Sequence, residues 1–328
     1  MSGVPPLRPA LADALGVLAC PHCGSSLQAG DEGGRSSSPV RCERGHAFDA
    51  ARQGYLSLLT GGGAHGLHAD DADMVASRER VQAGGVLAPV ADALVDALRA
   101  AAPAPGALVD VGGGTGYYAA ACLDGLDRHD RHDGHDRDDR DDGHDRHGGE
   151  MTAGVRLSAH DSVRLGVVLD LSRYAARRAA RAHPRLAAIV ADAWGALPLR
   201  DGAAGVVLCV FAPRNSAEFA RILAPGGVLA VVTPRAGHLS GLADVEGGLR
   251  VDPDKSDRLA AQLAGWTRLT THHVDTRVTV DGPTAADLLL MGPAAWHVDR
   301  TALRRRLAEQ RPVETRLAVD VTLATPDA

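Results

Sequence analysis

Apolar residues along this chain fall into short continuous runs separated by helical stretches, and that alternation predicts the architecture before any motif is considered. Ala107, Leu108 and Val109 run apolar into Asp110, and an Ala-rich helical run follows from Tyr117. Gly166 to Leu169 is a second run, ended by Asp170, after which Ser172 is placed to cap a helix over Arg173 to Ala182. Leu186 to Val190, Val206 to Val210 and Val228 to Thr233 repeat the theme, with a helix over Ala217 to Leu223 closed by Pro225-Gly226-Gly227. Short apolar runs bounded by turn signals are strands buried on both faces, and strands that alternate with helices build a parallel sheet. The fold expected is therefore α/β. Upstream, Asp70 to Gly85 turns helical and a second helix runs through Arg99, with Pro103 and Pro105 marking a boundary. Beyond 240, helical patterns cover Lys255 to Leu263, Pro283 to Met291 and Thr301 to Glu309, and strand-like alternation covers Thr267 to Val280 and Thr315 to Leu323.

The junction after the first strand carries the chemistry. Asp110 is followed by glycines at 112, 114 and 116, with Thr115 between them, and then by a helix. A sharp turn without Cβ atoms lets a ligand approach the backbone, and the free N–H groups of the next helix face it. The dinucleotide fingerprint G-x-G-x-x-G needs a glycine at 117, where this chain has Tyr117. The pattern D-x-G-x-G-x-G, with Asp170 ending the next strand, instead resembles the S-adenosylmethionine loop of class I (Rossmann-like) methyltransferases. That resemblance implies a turn under the methionine part of the cofactor and a second carboxylate on its ribose.

A separate signal lies near the amino terminus. Cys20-Pro21-His22-Cys23-Gly24 is followed by Cys42-Glu43-Arg44-Gly45-His46. Two such knuckles bring three thiolates and an imidazole to one point, a tetrahedral set for Zn2+ with no open coordination position. Cys20, Cys23, Cys42 and His46 are the expected ligands of a structural zinc, in a module that recognises rather than catalyses. Cys122 and Cys209 sit in apolar helix and strand contexts and read as buried thiols. Val17-Leu18-Ala19-Cys20 faintly resembles an export box, but Asp13 breaks the apolar run and Cys20 belongs to the knuckle.

Charge narrows the picture only after it is located. The 328 residues carry a net −6, and residues 124 to 150 alone hold eleven acidic residues against five arginines, so the remainder is neutral. That window belongs to a run of Asp, His and Arg from 124 to 160 without apolar period, expected as a solvated insert whose removal leaves activity largely intact. A neutral body neither demands RNA nor excludes it. No apolar run reaches the ~18 residues of a membrane span, so no membrane is expected and the chain reads as cytoplasmic. The organisation expected is a zinc-binding module over 1–60, a helical linker over 61–104 and a methyltransferase domain over 105–328.

Taken in order, CPHC, CERGHAFDAARQGYLSLL, ADMVASRERVQAGG, VDVGGGTGYY, LDLSRYAARRAARAHP, FAPRN, RILAPGG and MGPAAWH resemble the 23S ribosomal RNA guanine-N1 methyltransferases. That family includes housekeeping enzymes and macrolide (tylosin-type) resistance enzymes, and FAPRN together with the composition leans toward the latter. The resemblance covers nearly the whole chain apart from the insert. It implies methylation of guanine N1 in a 23S rRNA hairpin, S-adenosyl-L-methionine and Zn2+ as cofactors, and a homodimer whose zinc modules wall an RNA cleft. Cofactor contacts are carried over to Asp110, Gly112, Gly114, Thr115, Gly116 and Asp170. In related methyltransferases the corner after the third strand holds adenine, which places Asp192 on the exocyclic amine and Trp194 against the ring. His238 is carried over from a family stretch at the cofactor site.

The segment after the fourth strand, Phe211 to Asn215, faces the substrate crevice of such a sheet. Phe211 there either stacks on a flipped guanine or packs in the core, and Arg214 or Asn215 would meet a phosphate or the O6 edge. Guanine N1 holds a proton at neutral pH, so His238, Asp192 and the Arg214/Asn215 pair stand side by side as candidates for accepting it or for steadying charge on O6. One position departs from the family. Relatives tend to carry a tyrosine by the cofactor where this chain has Leu87, and the lost hydroxyl is expected to alter cofactor affinity or linker docking. Two rival functions fit the same motifs: a small-molecule methyltransferase that keeps the ribbon for dimerisation, and a non-catalytic adenosylmethionine-binding protein.

Overall fold

A computed structural model describes residues 7–30, 40–60, 69–133, 164–242 and 262–327. A short helix α1 (Pro9–Ala14) leads into a small antiparallel sheet of β1 (Leu27–Ala29), β2 (Val40–Cys42) and β3 (Ala47–Phe48), and β4 (Tyr55–Ser57) follows. Helices α2 (Ala72–Ala83) and α3 (Ala88–Ala101) meet at a bend of 75°. The alternating body then runs β5 (Ala107–Val111), α4 (Tyr117–Asp133), β6 (Gly166–Asp170), α5 (Arg173–Ala182), β7 (Leu186–Val190), β8 (Ala204–Val210), α6 (Ser216–Ile222) and β9 (Leu223–Pro234). It ends with β10 (Trp266–Val280), α7 (Gly282–Leu290), α8 (Arg300–Ala308) and β11 (Val313–Pro326). The helix expected over Lys255 to Leu263 falls almost wholly outside the described residues. Among them, no single helix is long and apolar enough to cross a membrane.

Eight strands form one sheet in the order β10-β11-β9-β8-β5-β6-β7-β4. The strands from β9 through β4 are mutually parallel, and β11 and β10 close one end antiparallel. Successive strands are added outward from β5 on one side and from β8 on the other, and this switch point opens a crevice beyond their carboxyl ends. This is the doubly wound order of the class I methyltransferases. At the far edge Tyr55, Leu56 and Ser57 of the amino-terminal segment pair in parallel with Ala188, Ile189 and Val190. The ribbon segment therefore contributes a strand to the main sheet.

The strand period of two sorts the core into two layers. Leu108, Val168, Ala188, Val206, Leu208 and Ala230 face one side, where α3, α4 and α5 cover them with Leu94, Leu98, Leu123, Ala176 and Ala180. Val109, Val111, Leu169, Ile189, Val207 and Val231 face the other, where they meet Leu11, Leu18, Leu27, Val40, Phe48 and Leu56 of the amino-terminal segment and Phe219 of α6. A doubly wound sheet ordinarily buries such a face under crossover helices. Here the β7-to-β8 crossover, 191–203, has no helix. The amino-terminal segment fills that place, with the Ala19 N–H donating to the Pro198 carbonyl at 3.0 Å and the Arg200 N–H to the Val17 carbonyl at 3.0 Å.

A third apolar cluster caps the carboxyl ends of the strands. Met74 and Val81 of α2 pack with Leu288 and Leu289 of α7, Leu303 and Leu307 of α8, and Leu239 and Leu242. Leu87, 3% exposed, belongs to this cluster, so the position without a tyrosine hydroxyl is filled by apolar packing. Asp287 ties the cap together by accepting from Arg80 Nε at 2.6 Å and Arg304 Nη1 at 2.5 Å, while Arg304 Nη2 reaches Ser77 Oγ at 2.9 Å.

One expectation needs correction. The Asp/His/Arg-rich run starts inside α4, which continues to Asp133. Leu123 and Leu126 keep the helical period and are buried, Asp124 lies 3.3 Å from His183, and Asp127 pairs with Arg185. Charged residues thus join the fold where their neighbours supply partners and an apolar face. The rest of the 124–160 insert, from 134 on, lies outside the described residues.

The helix-free crossover is held from the α6 side by Arg221, whose guanidinium donates to the carbonyls of Leu197 at 2.9 Å and Leu199 at 2.8 Å and to Glu218 at 2.6 Å. Glu218 in turn accepts from the Leu197 N–H at 2.7 Å. Arg221→Ala removes one donor from each of two carbonyls and two from the Glu218 carboxylate, and a stability loss of about 2 kcal/mol is expected in thermal or urea unfolding. An Arg221→Lys protein should recover only part of it, because an ammonium cannot span the same fork.

Candidate active site

The glycine turn sits at the carboxyl end of β5, at the switch point of the sheet. Gly112 and Gly113 donate to the Leu169 carbonyl at 2.8 and 3.2 Å, which pins the turn to β6. Gly112 has φ +70°, and a Cβ there would lie 2.6 Å from Ala212 Cβ, so the β8 loop closes directly over it. Gly114, at φ +56°, faces the opposite wall, where Arg78 Nη1 would lie 3.1 Å from a Cβ. Its N–H donates to Asp170 Oδ2 at 2.9 Å, and Asp170 Oδ1 accepts the Ser172 N–H at 2.8 Å. Each Asp170 oxygen keeps lone-pair capacity for a ligand hydroxyl. Thr115 Oγ1 donates to Gln82 Oε1 at 2.7 Å, so its hydroxyl fastens the turn to α2. Gly116 packs against Leu186 and Ala179 at the start of α4.

Asp110 lies behind this turn, fully buried. Neither carboxylate oxygen has a hydrogen-bond partner among the described residues, and the Ala119 N–H points toward the group without closing a bond. Burial, and after it the charge of Asp170, push the Asp110 pKa up to about 7. Burial also raises Asp170. Two desolvated carboxylates beside a Cβ-free turn form a cradle for a cationic ligand with hydroxyls, and S-adenosyl-L-methionine fits that description.

The other predicted residues line the crevice to different degrees. Phe211, 44% exposed, has φ +54°, a conformation costly for a bulky residue, and its ring lies 5.9 Å from that of His238. The Ala318 N–H donates to His238 Nδ1 at 3.3 Å, which orients the imidazole. Asp192 accepts the Trp194 N–H at 2.9 Å, and the Trp194 ring is 56% exposed. Asn215 turns its amide toward the carbonyls of Ala193, Trp194 and Gly195 at 3.3, 3.2 and 2.9 Å. Arg214 Nε donates to Gln262 Oε1 at 2.5 Å. Phe211 and His238 come together beside Gly112, whereas both Asn215 donors are occupied by the 193–195 loop.

The metal set is assembled by its own backbone. The Gly24 N–H reaches the Cys20 carbonyl at 2.8 Å, and the Gly45 N–H reaches the Cys42 carbonyl at 2.9 Å, which folds both knuckles inward. Cys20, Cys23, Cys42 and His46 place one ligand atom each within 4.8 Å of the others. Cys42 Sγ is 3.3 Å and Cys20 Sγ 3.6 Å from His46 Nδ1, and the Cys23 and Cys42 sulfurs are 3.8 Å apart. A zinc tetrahedron with standard Zn–S and Zn–N bonds has edges of about 3.5–3.8 Å, so the set fits Zn2+. The Ser25 hydroxyl, 2.9 Å from Cys23 Sγ, draws the Cys23 pKa down to about 6 and favours the thiolate. His22 is exposed and stacks on Phe48 outside the ligand set. Cys122 and Cys209 are buried free thiols.

Residues 18–60 match the zinc-ribbon family described as RlmA, N-terminal. Over 313 residues, 94% of this chain and 96% of the relative, the sequence is 40% identical to the 23S rRNA (guanine(748)-N(1))-methyltransferase of Streptomyces fradiae. The chain belongs to the 23S rRNA (guanine-N1)-methyltransferase family. Proteins of Micromonospora griseorubida and Bacillus subtilis named for the same guanine-N1 class are 38% and 28% identical over 96% and 94% of this chain, and over 99% and 96% of theirs.

Within this guanine-N1 methyltransferase, Arg78 is the site residue that motif reasoning passed over. It projects from α2 over Gly114, held by Asp70 at 2.6 Å and by the Met291 carbonyl at 2.6 Å. Its only sequence signal is a position inside ADMVASRERVQAGG, and the fold alone brings that helix and the MGPAAWH loop to the turn.

Asp110 supplies a pH-dependent test. Its folded pKa is raised above the unfolded value, so its contribution to stability is lost as pH rises from about 4 through about 7. Asp110→Asn removes that penalty. The cofactor-free variant should melt a few degrees higher than the native methyltransferase at pH 8, with the gain shrinking toward pH 5, while cofactor affinity falls. Equal melting temperatures at both pH values would show that no buried charge is carried there.

Proposed function

We propose that this protein transfers a methyl group from S-adenosyl-L-methionine to N1 of a guanine in a hairpin loop of 23S rRNA, in the cytoplasm, and thereby protects ribosomes from macrolides. The observation that carries the reading is one continuous core holding both a zinc ribbon and a glycine turn backed by buried carboxylates, in a chain 40% identical to the Streptomyces fradiae enzyme. The cofactor supplies an electrophilic methyl group on a sulfonium. The protein supplies alignment and exclusion of water. Gly112, Gly114 and Gly116 admit the cofactor backbone, Asp170 takes the ribose hydroxyls, and Asp110 provides compensating negative charge behind the turn. Asp192 and Trp194 hold the adenine. Phe211 receives the extruded guanine on its exposed face, and His238 beside it, whose Nδ1 accepts the Ala318 N–H so that its neutral ring carries the proton on Nε2, is placed to steady charge growing on O6. Arg214 and Asn215 shape the loop that presents Phe211. The small-molecule alternative has no counterpart among the relatives named above.

Primer extension on 23S rRNA from a methylation-free strain tests this directly. A single new stop at one guanine is expected only when protein and cofactor are both present, and no stop anywhere on the transcript sinks the reading. Phe211→Ala should lower kcat/KM for RNA about tenfold or more, the value of one base–aromatic stack, with cofactor affinity within about twofold of the native protein. His238→Ala should lower kcat for methyl transfer to RNA.

The homodimer is the second part of the proposal. Two copies would set their ribbons on either side of an RNA hairpin. Light scattering behind a sizing column should return twice the chain mass, and a monomer at micromolar concentration rules the paired cleft out.

A further inference from the structure

Arginines around the cap and the crossover are mostly committed to carboxylates: Arg78 to Asp70, Arg80 and Arg304 to Asp287, Arg221 to Glu218. Helix α5 carries a row of three that are not. Arg173, Arg177 and Arg181 stand on its exposed face with no carboxylate partner among the described residues, while Ala175, Ala176, Ala179 and Ala180 bury the other face. Among the described residues Arg178 alone on this helix makes an ion pair, with Glu79 at 3.2 Å. Spacing of four residues puts successive arginines about 6 Å apart along one line. Tyr174 is 38% exposed at the upper end, with the Arg173 guanidinium 5.2 Å over its ring.

The line has two defined ends. Its upper end begins three residues after Asp170, since the Ser172 N–H that precedes Arg173 is bonded to that carboxylate. Its lower end meets the ribbon. A Cβ on Gly54 would collide with Arg8 Cδ and lie 3.6 Å from Ala180 Cβ, so Arg8 crosses the Gly54 turn beside α5. Arg8 is exposed, as is Arg52 in the same turn, and neither has a carboxylate partner among the described residues. Cations without carboxylate partners among the described residues thus lie both along α5 and at the Gly54 turn, in a chain whose net charge is −6.

We propose that Arg8, Arg52, Arg173, Arg177 and Arg181 form a phosphate track that carries one strand of the RNA substrate from the zinc ribbon to the cofactor crevice. The proposal rests on the RNA-methyltransferase reading and adds the surface on which the substrate lies. Uncompensated cations repel one another, and a polyanion relieves that repulsion while releasing its own counterions. Planar guanidiniums match phosphate oxygens two at a time, and a half-exposed tyrosine beside them offers a base a stacking surface.

The test uses the full chain with zinc and cofactor, and three double variants: Arg177→Ala/Arg181→Ala, Arg177→Lys/Arg181→Lys, and Arg305→Ala/Arg311→Ala as exposed arginines outside the strip. Binding of a fluorescent 23S hairpin transcript is followed by anisotropy across a potassium chloride series, cofactor binding by calorimetry, and methyl transfer at saturating cofactor. The α5 alanine pair should weaken RNA binding about tenfold and flatten the slope of log K against log salt by about 1.5, two phosphate contacts' worth. It should raise KM for RNA with kcat and cofactor affinity unchanged, and the lysine pair should recover most of the salt slope. RNA affinity and slope equal to the native protein, or an equal loss in the Arg305/Arg311 control, overturns the track. So does binding of the strip to phosphatidylglycerol vesicles in preference to the transcript. A native protein that methylates no ribosomal RNA sinks the functional reading and the track together, whereas native methylation with an unaffected α5 variant sinks the track alone.

Discussion

Burial of the second face of the sheet is the constraint on which this structure depends. Val109, Val111, Leu169, Ile189 and Val207 would face water if nothing lay over them, and the crossover that ordinarily brings a helix there brings none. The cover is instead a segment with three very short strands and a six-residue helix, too little regular structure to hold its own shape. Four metal-ligating side chains compensate for that. Cys20 and Cys42 lie in the same buried cluster as the sheet residues they cover, so zinc binding and closure of the main core are one event. Removal of the metal would therefore loosen the catalytic sheet as well as the ribbon.

That arrangement braces both walls of the crevice. The 191–203 crossover carries Asp192 and Trp194, and it is braced from below by Val17 and Ala19, next to the first zinc ligand, and from the side by Arg221 and Glu218. On the opposite wall, the cap of α2, α7 and α8 is tied through Asp287 and delivers Arg78 to the glycine turn. The turn itself stays free of side-chain bulk. Asp110, buried without a hydrogen-bond partner among the described residues, is then destabilising when ionised, and a ligand of opposite charge would relieve it.

Much of the fold was legible because the body strands are continuous apolar runs: β7 occupies the same residues as the predicted third strand, and α7 and α8 begin one residue earlier than their patterns suggest. The zinc ligands were legible because tetrahedral coordination imposes spacing on sequence. What escaped was set by partners distant in the chain. Tyr55 to Ser57 is too short to announce a strand, and becomes one by borrowing the free edge of β7. Asp124 and Asp127 read as part of a solvated run until His183 and Arg185, in the turn after α5, give them partners. Leu87 read as a missing hydroxyl, whereas its surroundings are apolar and the leucine completes the cap.

The choice made at Asn215 shows how local rules yield at this crevice. Asparagine is among the best residues to cap a helix, and Asn215 occupies the cap position of α6, yet its side chain makes no cap hydrogen bond. Forgoing that bond costs about 1 kcal/mol. The amide is directed instead at three successive carbonyls of the loop bearing Trp194, which have no helix or strand to bond them. Four residues earlier, Phe211 holds a left-handed backbone that a phenylalanine avoids elsewhere. Two departures from local preference within five residues, on the loop that closes over Gly112, mark a segment shaped by what it must hold rather than by its own stability. The tether also links the two halves of the crevice: a shift of the Trp194 loop pulls on the residue that starts α6, and so on the loop that presents Phe211.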